Sequence, residues 1–264
     1  GEWFGPIEIV QPIAITRSAI VYHARRQEEE ILLKIANVGS EEKLRSEAKA
    51  FLQLAQSGQH PSLPKLLPAH PQGTIEHHPY GWTVINGRIK YFEVFAYEDG
   101  AVLSNMLLKN PQPWYQHAGW IVLAVADVIL YLHRAQKLHL CLKPDVILVR
   151  YDKENIPRTM VLDLGVADPG PNIPAFWDDN YNLPAYTAPE IVSRRGPVSP
   201  ATDVYGLGIL LYELLAGHPP YEYHLKRDDA VFRDVLRGRF AKTGRIDLKE
   251  IPDIAERSLS PNAN

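Results

Sequence analysis

The chain has one cysteine, Cys141, only two methionines, and no glycine between Gly5 and Gly39. A single thiol excludes an internal disulfide, so a reducing, cytoplasmic compartment is expected. A basic surplus is missing too. The 28 Lys and Arg are outnumbered by 31 Asp and Glu, whereas a polyanionic partner is normally met by excess positive charge. The nearest approach to a basic cluster, Arg25-Arg26, is followed after Gln27 by Glu28 to Glu30, as in a solvated turn. The N-terminal residues Gly1 to Gly5 lack the basic segment and apolar run of a secretory signal. The longest apolar stretch, Ile121 to Leu132, is interrupted by Asp127 and falls short of the roughly 20 residues that span a bilayer. These absences argue against nucleic acid as a partner and against membrane contact by this domain itself, and leave open an anchor outside this chain.

What is present suffices for a folded domain. With 264 residues, 45% of them apolar, the chain can bury roughly three quarters of its unfolded surface. β-branched runs at Ile7 to Val10, Ile13 to Ile15, Ala19 to Tyr22 and Glu30 to Ile35 predict short strands of an antiparallel sheet. Leu44, Glu47, Ala48, Phe51, Leu52 and Leu54 recur at helical spacing before Gly58. Asn86-Gly87 between Trp82 to Ile85 and Arg88 to Phe95 predicts a hairpin, because both residues accept the positive φ of a type I′ turn. Beyond Asp99-Gly100 the pattern turns helical. Trp114 to Arg134 carries a broad apolar face, and Val204 to Leu215 is apolar almost all round, as a central buried helix would be. Val146 to Val149 and Met160 to Leu162 suit short buried strands. The expected fold is α+β and bilobal, with a small antiparallel sheet lobe carrying one helix over residues 1–97 and a larger, mainly helical lobe over 98–264.

Several motifs lie in order along this frame. Tyr186-Thr187-Ala188-Pro189-Glu190 precedes Asp203-Val204-Tyr205-Gly206-Leu207-Gly208, followed by Tyr212 to Tyr221. Upstream stand Asp163-Leu164-Gly165 and His139-Leu140-Cys141-Leu142-Lys143-Pro144-Asp145-Val146, and in the first third Leu32-Leu33-Lys34 with Glu47 thirteen residues on. Together they resemble the eukaryotic-type serine/threonine protein kinase fold. They correspond in turn to the Ala-Pro-Glu segment, the central helix, the Asp-Phe-Gly triplet, the catalytic loop, the strand lysine and its helix partner. The resemblance implies a nucleotide site on Lys34, Glu47 and Asp163, with Asp163 as a magnesium ligand. Asp203, Glu190 and His139 are implied as scaffold.

Phosphoryl transfer depends on positioning and charge neutralisation, so its parts can be checked one at a time. The phosphate-cradling glycines fall on Ala14, Thr16 and Ala19, with Arg17 in the turn between them. Cys141 replaces the aspartate that accepts the substrate proton, a role worth about 10²–10⁴-fold. Val146 replaces the magnesium-binding asparagine, and a hydrocarbon cannot serve a hard cation. Leu140 replaces the arginine that receives an activation-loop phosphate, and no Ser or Thr occurs from Asp163 through Tyr186. Leu183 replaces the threonine that bridges the catalytic groups.

The sequence therefore resembles a degenerate kinase, a pseudokinase acting as a signalling, regulatory or scaffolding module that binds a protein partner. It needs no cofactor, and holds ATP with Mg at low affinity if at all. Its partner surface is expected on the Pro-rich segment Asp168 to Pro184, with Phe176-Trp177 as aromatic anchors, or on the helix bearing Glu47. Two alternatives remain: an atypical serine/threonine kinase or other ATP-dependent transferase using Lys34 and Asp163, and a redox sensor acting through Cys141.

Overall fold

The structure, a computed structural model, describes residues 2–16, 18–140, 142–165, 167–170, 183–195, 197–221, 226–248 and 250–260. Its first part is a sheet of seven antiparallel strands. β1 (Glu2–Phe4), β2 (Ile7–Ile15), β3 (Ala19–Arg26) and β4 (Glu29–Ala36) pair in sequence order. Helix α1 (Glu41–Ala55) and the short β5 (Leu66–Leu67) follow, then the hairpin β6 (Gly81–Ile85) and β7 (Arg88–Ala96), with β7 inserted between β4 and β5. The hairpin turns at Asn86 and Gly87, with φ of 50° and 73°, the left-handed pair that its sequence predicts.

One expectation is corrected here. The runs Ile7 to Val10 and Ile13 to Ile15 are not separate strands but one nine-residue β2, whose register against β3 shifts between Ile9 and Gln11 and again between Pro12 and Ala14. Pro12 has no N–H to give to a ladder, and the irregularity absorbs it.

The second part is helical around a small sheet. β8 (Ala101–Val102) runs into α2 (Leu103–Lys109), followed by α3 (Tyr115–Arg134). Two short strands, β9 (Ile147–Tyr151) and β10 (Pro157–Val161), complete a three-stranded sheet in the order β10-β9-β8. Then come α4 (Pro189–Ser193), α5 (Pro200–Ala216), α6 (Asp228–Leu236) and α7 (Ile251–Ser258). α3 is long and apolar enough to cross a membrane by length and composition, but its stripe of Ala118, Ile121, Val125, Val128, Ile129 and Leu132 is buried where the helix packs on α5 and β10. Ser199 caps α5 in a reciprocal arrangement with Thr202, which fixes where this central helix begins. Most of α5 is buried, as its apolar sequence suggests, although Val204 is 46% exposed.

Close approach between α5 and α7 requires glycine at 208. A Cβ there would sit 2.5 Å from the Ser258 Cβ, too near for two carbons. Gly208→Ala is expected to destabilise by about 1–3 kcal/mol despite alanine's better helix propensity, read as a lowered midpoint in thermal denaturation.

A single apolar cluster joins the two parts. It includes Ala14, Val21 and Leu32 from the sheet, Val102, Leu103, Val146 and Leu148 below it, and Val128 and Leu210 in the helical core. β2 also touches the 3-10 turn Pro144–Val146, so the strand pair that replaces a glycine-rich cradle lies directly on the helical part.

Candidate functional site

Lys34 sits on the most buried stretch of β4 and is 1% exposed. An ammonium there is tolerable only if surrounded by acceptors. Its Nζ donates to Glu47 Oε2 at 2.6 Å and to Asp163 Oδ1 at 2.7 Å. The Leu162 carbonyl lies 3.4 Å away. Glu47, on the inner face of α1, uses its other oxygen to accept the Leu164 N–H at 2.6 Å. One carboxylate thus ties the helix to the strand lysine and to the loop after β10. Sequence reasoning names Lys34, Glu47 and Asp163, and the fold brings all three together.

Burial alone would lower the Lys34 pKa, but the charges of Asp163, Glu47 and Glu93 outweigh it and raise it. Glu47 is pushed up to about 7, first by burial and then by Asp163, with Lys34 opposing.

Three neighbours carry no signal in the motifs. Ser18, 1% exposed, donates its hydroxyl between the two Asp163 oxygens, at 3.2 and 3.3 Å. Thr16 holds the turn that places it, accepting the Ala19 N–H and donating to the Ala19 carbonyl, both at 3.1 Å. Lys43, on the first turn of α1, brings its ammonium within 3.9 Å of Asp163 Oδ2. The third, Glu93 on β7, pairs in register with Lys34 across the sheet and is fully buried. Its only signal is a carboxylate inside the apolar run Phe92 to Phe95.

Val146, Leu140 and Leu183 have structural occupations. Val146 is fully buried in the interlobe core. Leu140 is held at φ 60° and packs with Leu138, Ala167, Ile191 and Val198 in a small apolar cluster. Greasy contact therefore joins the loop to the downstream segment where a phosphate-receiving arginine would use charge. Asp203, fully buried, anchors this loop by accepting the His139 N–H at 2.9 Å, the Leu140 N–H at 2.7 Å and His133 Nε2 at 2.8 Å. Leu183 caps a 3-10 turn over Pro184–Tyr186 and accepts the Thr187 hydroxyl at 2.9 Å. Cys141, Arg17 and Phe176-Trp177 lie outside the described residues, as does most of the segment from Asp168 to Pro184.

Magnesium would need open oxygen ligands here. Asp163 is 1% exposed, its oxygens face Lys34, Ser18 and Lys43, and the neighbouring position is the hydrocarbon of Val146. The described residues, as they are arranged, do not fit a magnesium ion.

A sheet lobe whose buried lysine is pinned to a helix carboxylate, set on a helical lobe that supplies the aspartate, defines a kinase-type bilobal domain. The profile described as Protein kinase domain matches residues 17–259, and the chain belongs to that family. It is 29% identical over 167 residues to the human Serine/threonine-protein kinase H2, covering 59% of this chain and 42% of that protein. It is 25% identical over 213 residues to the Calcium/calmodulin-dependent protein kinase type 1 of Macrobrachium nipponense, covering 80% of this chain and 54% of that protein. The chain thus spans about half the length of these relatives.

Proposed function

We propose that this chain is a pseudokinase domain, a binding and signalling module that works through its surface and not by phosphotransfer. The observation that carries the reading is the enclosure of Asp163. The carboxylate that would meet a metal is instead a hydrogen-bond acceptor for Ser18 and an ion-pair partner for Lys34. Ala14, Val21 and Leu32 share one buried cluster with Leu148, in keeping with lobes held together by side chains and not by a bound ligand. The Leu140 cluster supports the same view, since an apolar contact holds the loop without waiting for a phosphate. A protein partner, met in a reducing compartment, is the module's expected target, with the outer face of α1 as its docking element.

The test is a thermal-shift and calorimetric titration with Mg·ATP. Little change in melting temperature at millimolar nucleotide is expected. A ligand present at 100 times its Kd would raise stability by about 2.7 kcal/mol, or roughly 5–10 °C. Such a shift, accompanied by phosphate transfer to protein that Asp163→Ala abolishes, would establish the atypical kinase instead.

A further inference from the structure

Glu93 is a carboxyl on β7 inside the apolar run Phe92 to Phe95. Its side chain is fully buried, yet neither carboxyl oxygen has a hydrogen-bond partner among the described residues. It faces Lys34 from β4, Glu47 and Lys43 from α1, and Asp163 from the loop after β10. Arg45, further along α1, lies 5.2 Å over the ring of Tyr91, toward the hairpin tip. Among the described residues two ammonium groups and three carboxyls therefore meet inside the lobe. With all five ionised their charges sum to −1, which one retained proton would neutralise. Glu47 and Asp163 each accept hydrogen bonds that favour their charged forms. Glu93 accepts none.

We propose that Glu93 is a proton-linked latch for α1: protonated, it lets Glu47 close on Lys34; ionised, it becomes a second acceptor for Lys34 and loosens the helix. The register makes the exchange local. Residues directly opposite on neighbouring antiparallel strands have Cβ atoms roughly 4.5–5.5 Å apart, so an ionised Glu93 needs only a side-chain rotation to reach the ammonium. Glu47 would then be repelled by Glu93 while losing its cation, and it is Glu47 that also holds the Leu164 N–H. A single proton would thus weaken the grip of α1 on both the strand and the loop after β10.

Burial, reinforced by the charge of Glu47, holds the Glu93 pKa well above its ordinary 4.5. The folded value exceeds the unfolded one, so the contribution to stability is fully present below about 4.5 and is lost as pH rises toward the folded pKa. Glutamine keeps the shape and cannot ionise. Wild-type protein and Glu93→Gln should therefore melt at similar temperatures near pH 5 and diverge above it. By pH 8 the variant should be roughly 3–6 °C more stable. Hydrogen exchange of the α1 amides, corrected for intrinsic rates, should speed up with pH in the wild type and stay level in the variant. Wild-type protein should also show a protonated-carboxyl infrared band that Glu93→Gln lacks. Glu93→Met serves as a second apolar substitute should glutamine prevent folding. Parallel melting profiles, or an infrared spectrum in which neither variant removes an acid band, would overturn the proposal.

Discussion

Lys34→Ala is expected to lower the unfolding free energy by about 3–5 kcal/mol, the range for removing one partner of a buried ion pair. The loss is large because the ammonium serves two carboxylates at once, Glu47 at 2.6 Å and Asp163 at 2.7 Å, each 1% exposed. Alanine leaves both in a desolvated site where, among the described residues, the nearby cation is Lys43, 3.9 Å from Asp163. A lysine kept only to meet a nucleotide phosphate would leave the unliganded protein nearly as stable as before. Equilibrium urea denaturation separates the two cases, with Lys49→Ala on the exposed side of α1 as the control. Equal midpoints for the two variants would remove the structural role assigned to Lys34. Both ion pairs are buried out of reach of screening ions, so the effect should persist at high salt, unlike that of an exposed pair.

Asp203→Ala is the second large loss, again about 3–5 kcal/mol. The wild-type carboxylate satisfies two consecutive backbone N–H groups, those of His139 and Leu140, and the ring of His133. It also stabilises the left-handed backbone of Leu140 at φ 60°, a conformation that is unfavourable for a branched side chain. Without the carboxylate these two N–H groups lose a buried acceptor and the turn loses an anchor. Asp203→Asn retains one oxygen acceptor and should fall between the two. Thermal denaturation followed by near-ultraviolet dichroism would read both variants, and a loss below about 1 kcal/mol for alanine would show that packing of Leu140 against Ala167, Ile191 and Val198 suffices alone.

Much of this could be read from the chain. β4 and β7 are apolar runs bounded by turn residues, α1 has its buried residues at helical spacing, and Asn86-Gly87 specifies its turn by backbone sterics alone. The motif order also places Lys34, Glu47 and Asp163 in one site, since residues 13 and 129 positions apart in sequence are linked here by a known arrangement of strand, helix and loop. β2 was harder, because a proline and two register shifts break its alternation. β5, two residues long, has too few side chains to carry a period. The role of Ser18 was illegible for a different reason: its partner Asp163 is 145 residues away, and a serine in a turn looks the same whether its hydroxyl meets water or a carboxylate.

The sequence by itself determined the lobes, the family resemblance and the apolar identity of Leu140, Val146 and Leu183 at motif positions, because these depend on residue identity at positions set by local pattern. Tertiary structure alone decided what the remaining charged groups do. Lys34, Lys43, Glu47, Glu93 and Asp163 come from two strands, a helix and a loop, and whether they meet water, a ligand or each other depends on how closely the lobes pack. In this fold Ser18, Val21, Leu32 and Leu148 are all buried. Coulomb attraction in that desolvated interior is strong, so the charges are bound to one another.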